Sequence, residues 1–189
     1  AGNRIVVADS VLSAATALTV DAAAADIDLD NASATAGTDL SMTAATDVTL
    51  DGSTVEAAAG DLSLTGTDGE VAVTGSSVEA GNDLSADAGN DIAVTDSTAT
   101  AAANIDLHAG NGVAMSAATD VTLDGSNAEA TTGDLSLTGT DGDVMLTDSL
   151  AIAANDLSVD AGANVGLTDS TALAQRHQNV TAGDNVVLE

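Results

Sequence analysis

One frame recurs along this chain and leaves little freedom to the fold. It starts at Arg4, Asp26, Asp47, Glu70, Asp91, Asp120, Asp143 and Asn164, mostly 21 to 23 residues apart. Directly after each start stands a β-branched residue: Ile5, Ile27, Val48, Val71, Ile92, Val121, Val144 and Val165. Two places further on comes another aliphatic side chain, from Val7 and Leu29 through to Leu167. A period of two marks a strand with one buried face. A turn residue follows each time, Asp9, Asn31, Gly52, Gly75, Asp96, Gly125, Asp148 and Asp169, types that tolerate left-handed or Asx-type geometry. A second strand then opens, with Ser in all but one repeat, and carries an unbroken column of alanines that includes Ala36, Ala101, Ala130 and Ala153. A third strand carries Leu18, Leu40, Leu62, Leu84, Ile105, Leu135, Leu157 and Val180, with Ser, Thr or Asp facing outward after them.

Three short strands per repeat predict an all-β fold. The prediction is a right-handed parallel β-helix, or solenoid, with triangular coils of about 21 residues. Glycine and β-branched residues every eight residues or so leave no window of helical periodicity. A sandwich would not repeat one turn chemistry at a fixed length. Composition agrees, because the chain has no Phe, Tyr, Trp, Pro or Cys. Without aromatic side chains, a core has to be assembled from many small aliphatic groups in a regular array. The formal charge of −28, thirty acids against two arginines, repels nucleic acid and anionic membrane surfaces. Residues 1–25 contain no continuous apolar stretch, so an export signal or membrane span is not among them. The repeat is already running at Arg4 and begins again at Asn185. The expected organisation is therefore one segment over 1–189, an uncapped piece of a longer solenoid.

The repeat has one fault. Residues 39–103 and 112–176 are near-duplicates, but their offset of 73 is not a whole number of coils. An extra block, Gly112–Thr119, causes the mismatch. Val113 and Met115 alternate in it with Ala114 and Ser116, the pattern of a strand. The block is expected to form one additional side of the triangle. Val121 would then lie over the second-strand column near Ala99 instead of over Ile92. A bulge that keeps the columns in phase is the competing arrangement. Ala101 and Ala130, as members of one corner column, are expected to resist enlargement alike.

No residue pattern calls for chemistry. The acids at strand starts form a column in which neighbouring charges about 4.8 Å apart repel by roughly 1 kcal/mol in water. Counter-cations, calcium among them, would relieve that repulsion. Turn capping by Asp and Asn explains the same residues without a ligand. The triplets Gly81–Asp83 and Gly89–Asp91 depart from the spacing of calcium-binding nonapeptides. His108 and His177 have no partners at ligand spacing and read as surface residues, with His108 where the chain turns. A polysaccharide-acting β-helix would need an acid pair in a groove that breaks the repeat, whereas these acids follow it. The sequence therefore assigns no catalytic, cofactor-binding or metal-ligating residue and no cofactor.

The run Asp47-Val48-Thr49-Leu50-Asp51-Gly52-Ser53-Thr54-Val55-Glu56-Ala57, followed by Gly60-Asp61-Leu62-Ser63-Leu64, resembles the haemagglutinin repeats of filamentous haemagglutinin and contact-dependent inhibition proteins. The resemblance implies export through an outer-membrane partner transporter and a stalk that holds an adhesive or toxic tip far from the cell. On that basis the chain is expected to be a structural or adhesive stalk segment of a large secreted bacterial surface protein, extracellular and without catalysis. Its partners would be neighbouring coils of the parent solenoid or end-to-end copies. Host or bacterial surfaces would be met through parts outside this chain, with neither nucleic acid nor membrane insertion involved. The alternatives are a polysaccharide-acting β-helix enzyme and a calcium-ordered extracellular rod.

Overall fold

The alternation of inward aliphatic and outward polar residues makes nearly every repeat segment an extended strand of three to six residues. The structure, a computed structural model, describes residues 4–189; the first three positions of the predicted segment lie outside it. All strand pairs are parallel, each joining a coil to the next about 22 residues on, for example Ile5 to Ile27 and Leu40 to Leu62. Three strands make a coil, and about eight coils stack into a β-solenoid. The first face is one continuous nine-stranded sheet, from Ile5–Ala8 to His177–Ala182, and the third face is an eight-stranded sheet. The second face is divided into a five-stranded and a four-stranded sheet.

Corners follow the local sequence. All eight predicted turn residues have positive φ, from 47° at Asp9 to 57° at Gly52 and Gly125. Only Gly, Asn and Asp occupy them, the residue types that enter this region at least cost. The interior is a set of aliphatic columns, with Val48, Leu50, Leu62, Val71, Leu135 and Val144 fully buried. Burying one such side chain contributes about 1.5–3 kcal/mol, so stability is spread along the rod rather than held at one point.

The serine that opens the second strand has a role the repeat pattern did not disclose. Ser53, Ser76, Ser126 and Ser149 are buried just inside the corner. Each hydroxyl donates to the carbonyl two residues back, as Ser53 does to Asp51 and Ser76 to Thr74. The same oxygen accepts the amide of the preceding coil, Ser53 N–H to Ser76 Oγ at 2.9 Å and Ser126 N–H to Ser149 Oγ at 3.1 Å. The turn residue keeps its backbone bond to the next coil, as Gly52 N–H does to Thr74 O at 3.0 Å, and the hydroxyl column serves the amide that follows it.

The extra block is a strand, Val113–Ala117, and it takes a place in the first face. Val113 pairs with Ile92 below and with Leu135 above. Four residues pair below and five above, so this strand adapts four-residue first strands to the five-residue third strands that follow. Every later segment moves on by one face. The second strand Asn127–Ala130 sits on the third strand Ile105–Ala109, and the left-handed turns Gly125, Asp148 and Asp169 move to the next corner.

Two expectations need correction. Val180 does not continue the column of Leu157: Gln178 pairs with Leu157, and Val180 with Val159. Thr181 accordingly lies beside Asp160 rather than Ser158. A two-residue slip preserves the inward and outward parity, so alternation alone could not reveal it. His108 stands within the strand Ile105–Ala109, facing outward, and not at a turn.

Candidate binding cleft

The shift of faces leaves one mismatch. On the second face the strand Thr98–Ala101 ends the five-stranded sheet and the strand Val121–Asp124 begins the four-stranded one. Val121 therefore does lie on the face of Ala99, as expected, but no ladder joins the two. The strands stand more than 8 Å apart over most of their length, and a cleft of about 330 Å³ opens between them. Its floor is the rod's own core, formed by Val94, Ile105, Met115 and Val121. Ala99 and Ala101 line the lower wall and are only half-buried, whereas Val78 and Ala80 one coil below are buried. Thr98, Thr122, Asp120 and Asp124 form an exposed polar rim.

The backbone around the cleft follows from the ladder pattern. Outward residues hydrogen-bond to the coil before them, as Thr98 N–H does to Ser76 O at 2.9 Å. Inward residues bond to the coil after them, as Val121 N–H does to Asp143 O at 2.9 Å. Ala99 and Ala101 thus turn their N–H and C=O groups upward into the cleft, and Thr122 and Asp124 turn theirs downward. Neither set has a ladder partner. The neighbouring corner is mended by a side chain: Ser126 Oγ accepts the Ile105 amide at 3.3 Å.

The acids at strand starts act as caps between coils. Asp47 accepts the Glu70 amide, Asp91 that of Gly112, Asp120 that of Asp143 and Asp143 that of Asn164, each at 2.8 Å. Asp39, Asp61 and Asp83 do the same ahead of the third face, and Asp134, moved by the splice, ahead of the first, at 3.1–3.3 Å. Asparagines ahead of the strands reach back to such acids: Asn82, in the triplet Gly81–Asp83, to Asp61, and Asn111 to Asp91. Two carboxyls are held below their ordinary value. The Thr46 hydroxyl and then the Asp47 amide lower Asp26, and the bond to His177 lowers Asp156. His177 meets Asp156 at 2.8 Å and His108 stands 3.6 Å from Glu129, both pairs outward and exposed. Arg4 pairs with Asp28. Among the described residues no three His, Asp or Glu side chains converge as a metal site would require.

The structure thus brings together what the repeat sets apart: Asp120 and Asp124 meet the wall of Ala99 and Ala101 at a groove that interrupts the pattern. The extra eight-residue block signalled the change of face at which the groove lies, but not the groove itself, because the other two faces pair across the same splice without a gap. No curated protein and no solved structure matches this chain. A family model described as hemagglutinin repeat matches residues 49–189. With three quarters of its length covered by that match, which spans the splice and the cleft, the chain belongs to the hemagglutinin repeat family.

Proposed function

We propose that this chain is a spacer in the stalk of a large secreted bacterial adhesin, held at the cell surface, that separates an adhesive part from its anchor and performs no catalysis. The observation that carries the reading is the continuity of the first face. Nine strands pair without interruption, even through the extra strand, and the inward columns stay apolar until Gln178 in the last of them. A chain selected for reach needs that continuity and little else. The outward rows of Asp, Ser and Thr keep the rod solvated, and the family match supports a place in an adhesin. The test is to remove one whole coil, residues 48–70, from the secreted protein. Adhesion should persist while the rod shortens by about 4.8 Å. Loss of adhesion with the rod intact would mean that these coils themselves bind.

A second reading draws on the cleft, where Asp120 and Asp124 sit in a groove that breaks the repeat, as a polysaccharide-acting enzyme would require. Against it, Asp120 is engaged with the Asp143 amide, and the chain has no aromatic platform for sugar rings. Release of reducing ends from polysaccharides, abolished by Asp120→Asn or Asp124→Asn, would replace the spacer reading.

A further inference from the structure

The cleft is a parting between two successive rungs of one face, while the other two faces stay paired across the splice. Both of its lips are strand edges of the same parallel ladder, one turning up the main-chain groups of Ala99 and Ala101, the other turning down those of Thr122 and Asp124. Paired strands lie about 4.8 Å apart, so a guest held on both sides needs lips about 9.6 Å apart; these stand more than 8 Å apart over most of their length, and a small parting of the lips supplies the rest. The floor of Val94, Ile105 and Met115 is apolar, as is the floor beneath every other rung. A solvated gap of this kind wastes hydrogen bonds and core burial that a guest strand would recover from both sides at once.

We infer that the cleft is a β-augmentation site that takes an extended polypeptide strand, with small apolar residues facing inward and basic residues facing outward. The inward requirement follows from the floor and from Ala99 and Ala101, which leave room for side chains the size of alanine or valine. The outward requirement follows from charge. Asp120 and Asp124 flank the upper lip, the Asp124 carboxylate receives no hydrogen bond from the described residues, and neither Arg4 nor Arg176 lies at the cleft. A strand with lysine or arginine at alternate positions sets cations against this rim, in a chain of net charge −28 that repels acidic partners. The guest lies parallel to the lips and gains main-chain bonds along two edges instead of the one available at an ordinary sheet margin. This inference goes beyond the spacer reading and does not depend on it, because a rod of any purpose would present the same slot.

The experiment uses the full chain and a six-residue peptide alternating lysine and valine, blocked at both ends. Calorimetric titration should show saturable binding of one peptide per chain. Hydrogen exchange should show new protection at Ala99, Ala101, Thr122 and Asp124 together. Asp124→Lys, an exposed change, should weaken binding at least tenfold. Two controls separate strand insertion from charge alone. A peptide N-methylated at its valines keeps its charge but cannot pair on both edges, and it should not bind. A chain lacking Gly112–Thr119 loses no charged residue but has no unmatched rung, and it should also fail to bind. Equal binding of the N-methylated peptide, retained binding by the shortened chain, or protection spread over the acidic faces would overturn the inference. So would a neutral oligosaccharide that fills the cleft and excludes the peptide.

Discussion

Residues 47–69 and 120–142 are almost the same sequence on two sides of the splice, yet they occupy different faces of the rod. In the first copy Val48 pairs with Ile27 below and Val71 above, and Thr54–Ala57 lies between Ser33–Ala36 and Ser77–Ala80. In the second, Val121 has Val144 above and the cleft below, and Asn127–Ala130 sits on a third strand. Strands, the left-handed turn and the buried serine are identical in both. Local sequence therefore encodes strand and corner, while the face is set by counting the sides that came before. The differences between the copies fit the new neighbours. Thr54 becomes Asn127, whose amide reaches Asp106, and Val55 becomes Ala128, which packs above the larger Leu107. Faces are interchangeable because each offers aliphatic columns at the same pitch, and the consequence is a single unpaired rung.

Deleting Gly112–Thr119 should return the second copy to the face of the first. The segment then reads Ala109-Gly110-Asn111 directly into Asp120-Val121, the same grammar as Ala88-Gly89-Asn90-Asp91-Ile92, and the frame from Asp91 returns to twenty-one residues. Val121 should stack on Ile92 and the divided second face should become one sheet. The restored ladder bonds should raise stability by about 2–4 kcal/mol, seen as a higher denaturant midpoint. An unchanged or lower midpoint would mean that the extra strand supports its neighbours by more than it disturbs them.

The second test sets Ala101 against Ala130. The repeat makes them equivalent, but the structure does not: Ala130 is 1% exposed, while Ala101 lines the cleft. Ala130→Leu should destabilise by about 1–3 kcal/mol through overpacking. Ala101→Leu should cost far less, close to the outward Thr98→Leu, because the cleft receives the added atoms. Equal penalties at the two alanines would show that the cleft closes in solution.

The sequence made the strands and the eight left-handed turns legible, since each depends only on residue type and parity; the alanine column it also suggested is split by the splice, with Ala130 stacked on Ala109 rather than Ala101. The sequence also made the extra side legible, through an offset that no whole number of coils explains. The serine column was visible as a column, but its burial was not, because a hydroxyl after a turn reads equally well as solvated. The cleft was out of reach for another reason. Pairing between strands 23 residues apart depends on how two stacks tilt when only one of three faces mismatches, and no residue type records that. The slip at Val180 escaped because Gln178 occupies an inward place and satisfies its amide on the Ala172 carbonyl.

Serine substitutions measure whether corners are truly independent of face. Ser76 lies before the splice and Ser149 after it, at different corners, with the same pair of bonds. Ser76→Ala and Ser149→Ala each leave a buried amide without its acceptor, that of Ser53 or Ser126, and should each cost about 1–3 kcal/mol. Denaturant melts that differ by more than about 1 kcal/mol between the two would tie the corner to its face.

The smallest effect concerns the two lowered carboxyls, Asp26 before the splice and Asp156 after it. A carboxyl whose folded value lies below its unfolded one adds stability above the unfolded value, here 3.8, and loses it as the pH falls through the folded value. Acidification also discharges the other acids and relieves their mutual repulsion, which acts in the opposite direction. The contribution of the two groups is therefore read as a difference between the native chain and the variant carrying Asp26→Asn and Asp156→Asn. That difference in melting midpoint should be constant between pH 5 and 7 with respect to these carboxyls and shrink below pH 3.8. Both groups are exposed, so added salt should diminish the part that comes from His177 more than the part that comes from the Thr46 hydroxyl. A difference that grows on acidification would show that these carboxylates repel their surroundings rather than clasp the next coil.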